Sequence, residues 1–113
     1  MKNYEKVEVL KLEHTKWRDE NFYNKQGFFP VFSTFKEQMR SLSPGAITLF
    51  LYIGLHSNNQ TGECRHSIET IAAFFDKSTR TISNWISELE EARLIVRVQL
   101  KFNGVSYTYL RPY

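Results

Sequence analysis

The stretch Ser67 to Leu94 reads SIETIAAFFDKSTRTISNWISELEEARL, and its periodicity decides how the rest of the chain is assembled. Ser67 is suited to cap a helix, because its hydroxyl accepts from an otherwise unpaired backbone N–H, and Glu69 then sits where the helix dipole favours negative charge. Ile68, Ile71, Ala72 and Phe75 follow at helical spacing and form one apolar stripe. Ala72 is small, so a second helix can cross closely. Asp76-Lys77 interrupts the stripe, and Ser78 offers a second cap. Ile82, Trp85, Ile86 and Leu89 make the next stripe at i, i+3, i+4 and i+7. Two helices joined by a tight turn follow from this pattern.

Facing away from the second stripe are Thr79, Arg80, Ser83, Asn84 and Ser87, and no acid lies between Lys77 and Ser87. A merely solvated helix face usually mixes both signs of charge. This one is hydroxyl-rich and basic, and such side chains hydrogen-bond phosphates and base edges. A surface helix with an ordinary polar face is the plain alternative, and the residues after Leu94 weigh against it. The run Leu94 to Phe102 is β-branched, with Val96, Val98 and Leu100 alternating against Arg97, Gln99 and Lys101, the pattern of a half-exposed strand. Asn103-Gly104 is a strong two-residue hairpin signal. Val105 to Leu110 returns as the partner strand, with Val105, Tyr107 and Tyr109 on one face.

Upstream, Ser43-Pro44 is a helix start, and the helix expected over Pro44–His56 is apolar on more than one side. One side should meet the two-helix unit. The other should meet the aromatic segment around Phe28, Phe29, Phe32 and Phe35, or a second copy of the chain. Residues 57–62 form a turn, and Glu63 to His66 a short extended link. A short helix is expected over Ser33–Arg40. Residues 1–21, with Val7-Glu8-Val9 and Leu10-Lys11-Leu12 alternating in opposite phase, suit a strand with a bulge or a loosely packed arm. Thr15 to Asn24 reads as irregular. The expected architecture is therefore α+β and mostly α. A three-helix core with a β-hairpin wing spans residues 42–113, and residues 1–41 form an N-terminal extension packing on the core or on a partner.

The bulk numbers agree. A chain of 113 residues, 42% hydrophobic and 24% charged, suits one folded domain. The net charge of +3 is mild, but from Ala92 to Tyr113 four bases (Arg93, Arg97, Lys101, Arg111) occur without an acid. A single cysteine, Cys64, forbids an intrachain disulfide and makes a reducing cytosol the default. No signal core or membrane-length apolar run occurs, so a cytoplasmic protein without membrane contact is expected.

A family resemblance rests on Leu42-Ser43-Pro44 before an apolar helix, Gly62-Glu63-Cys64 before the next, and Ile71-Ala72 within it. Arg80-Thr81-Ile82-Ser83 opens the third helix, and Leu89-Glu90-Glu91-Ala92-Arg93-Leu94-Ile95 closes it. From Leu42 to Ile95 the chain resembles the winged helix-turn-helix domains of phage and plasmid replication initiators and related mobile-element regulators. The resemblance implies duplex-DNA binding with the third helix in the major groove, commonly as a homodimer on paired half-sites. Three positions depart from the family pattern. Asp76-Lys77 stands where glycine and an apolar residue are usual, Arg93 replaces a glycine, and His66 replaces a proline.

The DNA-contacting residues expected are Lys77, Ser78, Thr79, Arg80, Thr81, Ser83 and Asn84 from the helix, and Arg97, Lys101 and Asn103 from the wing. Arg80 can fork onto guanine and Asn84 onto adenine. Lys77, Arg97 and Lys101 need only charge and reach to meet phosphate. Hydroxyls at a helix start often serve only as caps. No metal is expected, because Cys64, His56 and His66 lack the second ligand pair of a closed site. No cofactor or catalytic set is expected: phosphate loop, Ser-His-Asp set and paired acids are all missing from the sequence. The expected role is marking an origin of replication or transfer, or regulating transcription, with a possible protein partner in such a complex. The alternative is a protein–protein module built on the same surfaces.

Overall fold

The computed structural model describes residues 1–99 and 104–113. The N-terminal residues correct the sequence reading. Of the expected bulged strand or loosely packed arm, followed by an irregular stretch over residues 15–24, the strand and the irregular stretch are replaced by one helix, α1 (Asn3–Tyr23), none of whose residues is buried. Glu5 holds its start by accepting from the Lys2 backbone N–H at 3.2 Å. The Val-Glu-Val alternation misled because period two and period three to four are barely distinguishable over six residues, and the surrounding Glu, Lys and Leu are good helix formers. The helix ends at Tyr23, and just beyond it Lys25 turns the chain with φ +56°.

Helix α2 (Phe35–Met39) follows, then α3 (Pro44–Leu55), with the Ser43 hydroxyl accepting from Ala46 N–H and proline in the first turn. Two sides of α3 are packed within one chain, although Leu51 and Leu55 stay exposed. On one side the Trp85 indole lies flat on Gly45, so close that a Cβ there would overlap the ring. On the other side Phe35 stacks on Phe50 at 4.6 Å between centroids, and Phe29 meets Phe50 edge-on at 6.1 Å. Tyr113 closes this cluster from the C-terminus against Phe35 and Phe50. The aromatic segment is thus partly covered by its own domain, although Phe28 and Phe32 stay exposed.

Strand β1 (Glu63–Cys64) leads into α4 (Ile68–Phe75) and α5 (Thr79–Glu91), which are followed by β2 (Ile95–Gln99) and β3 (Ser106–Leu110). The sheet is antiparallel with order β1-β3-β2. The link before α4 is therefore a third strand, whose Cys64 lies opposite Thr108. The core comprises the buried faces of α3, α4 and α5 with Leu94, Ile95 and Cys64.

The phase of β2 differs from that implied by its alternation. Ile95 and Arg97 lie opposite Leu110 and Thr108, whereas Val96 and Val98 lie opposite Tyr109 and Tyr107. Directly paired residues share a face. Thr108, Cys64 and Ile95 are almost wholly buried, so the core-facing side carries Arg97, and the valines share the outer side with the tyrosines. The register also departs from a two-residue Asn103-Gly104 turn, which would set Gln99 opposite Thr108; Gln99 instead faces Ser106. At the base of the hairpin Arg111 N–H donates to Leu94 C=O at 2.9 Å in the same register, while Leu110 N–H donates to Gly62 C=O at 3.0 Å on the β1 side. Residues 100–103, with the expected contacts Lys101 and Asn103, lie outside the described residues.

Candidate nucleic-acid interface

Helix α5 is presented by a sharp bend and fixed by its apolar stripe. Asp76 takes the left-handed conformation, with φ +53° and ψ +50°, and its short polar side chain tolerates this. Ser78 then caps α5, accepting from Thr81 N–H at 3.1 Å. Ile82, Ile86 and Leu89 are buried, and Trp85 wedges between Gly45 and Phe75. At roughly 100° per residue, Arg80, Asn84 and Ser87 are turned directly away from that stripe. They span about 10 Å of helix, a length that fits a groove about 12 Å wide.

From Lys77 to Ser87 this face carries no acid, whereas Glu91, one turn beyond Ser87 on the same line, is exposed. Glu88, the first acid after Ser87 in sequence, is turned back into the protein, where it accepts from Ser43 N–H at 2.9 Å and from Ser43 Oγ–H at 2.6 Å. Among the described residues neither Arg80 nor Lys77 is in an ion pair. Both stand exposed at the N-terminal end of α5, where the helix dipole adds partial positive charge.

The expected contact residues divide into groups. Lys77, Thr79, Arg80 and Asn84 are exposed together at the start of α5. Ser78 and Thr81 are bonded hydroxyl to hydroxyl at 3.0 Å and serve the cap. Ser83 is half-buried, and its carbonyl accepts from the Ser87 hydroxyl. Arg97 does not project freely from the wing: it is half-buried and donates from Nη1 to Thr108 Oγ1 at 2.8 Å. Its charge also reaches Cys64, opposing the burial that pushes that thiol up.

Arg93 carries its charge on a left-handed backbone with φ +61°. The bend that glycine usually makes is therefore retained without glycine.

Two polar clusters escaped the sequence reading. On the outer face of the sheet, Arg65 lies over the Tyr107 ring at 5.1 Å, and Tyr109 donates to Glu63 at 2.7 Å. The hydrogen bonds from Arg65 and then Tyr109 hold the Glu63 carboxyl below its ordinary value. The extended link at Glu63 is readable in the sequence, but its pairing with β3 is not, because Tyr109 lies 46 residues along the chain. Behind α4, Tyr52 OH and His66 Nδ1 are 2.6 Å apart, and the His56 and His66 rings lie 4.6 Å apart. Burial, and then the neighbouring His66, lower the His56 imidazole below its ordinary value.

Residues 40–95 match a family model described as a helix-turn-helix domain. Among solved structures, a MarR-like transcriptional regulator from Thermotoga maritima superposes with a TM-score of 0.53 at 17% identity, covering 98% of this chain and 66% of the regulator. This chain thus spans about two thirds of the regulator's length. The protein chain of a Rep–DNA complex superposes with a TM-score of 0.56 at 15% identity, covering 83% of this chain and 80% of that one. At these identities the likeness to both is one of fold. No functionally curated protein matches the sequence. The helical core, the antiparallel wing and the family match define a winged helix-turn-helix DNA-binding domain. Among the described residues no helix is long and apolar enough to cross a membrane.

Proposed function

We propose that the protein is a sequence-specific duplex-DNA-binding protein of a plasmid- or phage-type mobile element. It acts by marking an origin of replication or transfer, or by regulating transcription, and it recruits other proteins rather than catalysing a reaction. Helix α5 enters the major groove with Arg80 and Asn84 toward base edges, while Lys77 and the helix N-terminus meet phosphate. The wing, through Lys101 and Asn103, lies against phosphate or minor groove, and two copies engage paired half-sites. The observation that carries this reading is the outward face of α5, on which Arg80 and Lys77 are exposed without acidic partners while Glu88 is engaged by Ser43.

The experiment is an unbiased DNA selection followed by fluorescence anisotropy on the selected duplex and on random duplex. Arg80→Ala should weaken the selected site by roughly 5- to 150-fold, the range for losing one bidentate base contact, and random DNA far less. Equal losses on both would reduce Arg80 to a phosphate contact. Failure to retain any duplex at low salt would favour a protein-binding module instead.

A further inference from the structure

Helix α1 is 21 residues long, yet none of them is buried. Most helical stability in proteins comes from packing against other elements, which α1 lacks, and its β-branched and aromatic residues lower its own propensity. Its exposed apolar residues are spread around it, Tyr4, Val9 and Leu12 among them, but one line keeps a heptad spacing. Val7, Leu10, His14, Trp17 and Asn21 recur at alternating steps of three and four, the a/d spacing of a two-stranded coil, over just more than two heptads of the helix. The side chains already gather on that line: the His14 and Trp17 rings are 5.6 Å apart, and Val7, Leu10 and His14 rim one shallow groove. Leu10 and Trp17 are 61% and 62% exposed.

The shoulders of the line say what covers it. Lys11 and Arg18 occupy the e positions on one side, and Glu13 and Glu20 the g positions on the other. In a parallel pair a g residue faces the following e residue of the other helix. Glu13 then meets Arg18 of a second copy, and Glu20 reaches toward its Lys25, each twice by symmetry. Lys6 opposite Lys11 is the one like-charged contact. An antiparallel pair would instead bring Glu13 against Glu13 and Lys11 against Lys11 at its centre. Asn21 falls at an a position, where a polar residue favours one register over its alternatives. We propose that α1 is a parallel dimerisation helix that pairs with α1 of a second copy along Val7, Leu10, His14 and Trp17. This brings both DNA-reading heads to the same end of the coil.

The test uses the full chain in the absence of DNA, so its failure would leave the DNA reading intact. Sedimentation velocity should show a dimer that Leu10→Glu with Trp17→Glu converts to monomer. Thermal unfolding of the head should be unchanged, because α1 contributes nothing buried to it. Leu10→Cys should cross-link two chains on mild oxidation, since a d residue faces its own copy only in the parallel pair, and the native Cys64 is fully buried. A wild-type chain that stays monomeric at every concentration overturns the proposal, as does a dimer that survives the double substitution. A dimer that Leu10→Cys fails to cross-link overturns the parallel arrangement.

Discussion

Replacing Glu88 by alanine tests how the reading helix is anchored. The Glu88 carboxylate accepts two hydrogen bonds from Ser43, at 2.9 Å from N and 2.6 Å from Oγ. The same Ser43 hydroxyl oxygen accepts from Ala46 N–H at 3.2 Å and so caps α3. One carboxylate therefore ties α5 to the start of α3 and orients the capping hydroxyl. Hydrogen bonds to a charged group contribute about 1.5–3 kcal/mol each when partly buried, and the two here share one donor residue, so their losses overlap. Glu88→Ala should cost about 2–3 kcal/mol, and Ser43→Ala, which also removes the cap, should cost a similar amount. The double variant should be barely worse than either single one, giving a coupling of about 2–3 kcal/mol. Urea titration by circular dichroism, with an unchanged m-value, supplies the numbers. If Glu88→Ala lies within about 0.5 kcal/mol of wild type, or the two losses simply add, Glu88 does not anchor α5 through Ser43.

Three further outcomes are expected. Arg93→Gly should raise stability by up to about 1 kcal/mol, since a side chain at φ +61° costs about 1–2 kcal/mol and glycine's extra unfolded-state entropy offsets part of the relief; a lower denaturation midpoint would contradict this. Gly54→Ala should cost about 1–3 kcal/mol, because the added Cβ would overlap the Phe29 ring and expel it from Phe50; near-ultraviolet dichroism would register the lost aromatic packing. The lowered His56 imidazole makes the folded state the poorer proton binder, so its contribution is fully present above the ordinary value of 6.5 and is lost as pH falls through the depressed folded one. Urea midpoints should therefore fall between about pH 7.5 and pH 5.5, and His56→Leu should flatten that slope.

The helical part of the reading surface was legible because its signals act over a few residues. The serine before each of α3, α4 and α5 accepts from the N–H three positions on, and each apolar stripe repeats within one or two turns. The face of β2 that meets the core was not legible, because it depends on partners far along the chain. Thr108 opposite Arg97, and Cys64 opposite Thr108, turn the arginine inward and the valines outward, against the order that hydrophobicity alone suggests. The same distance dependence hid Glu88, which reads as a solvent-facing acid until Ser43, 45 residues earlier, is placed against it.

From residue order alone came the two-helix unit, its polar outer face from Lys77 to Ser87, and the α+β class, because caps, turns and helical periodicity are local. Three-dimensional packing settled which charges that face keeps. It withdrew Glu88 to Ser43 and Arg97 to Thr108, while Arg80 and Lys77 remained at the surface. The physical reason is that a side chain's electrostatic role depends on the partner that satisfies it, and those partners are brought near only by the fold.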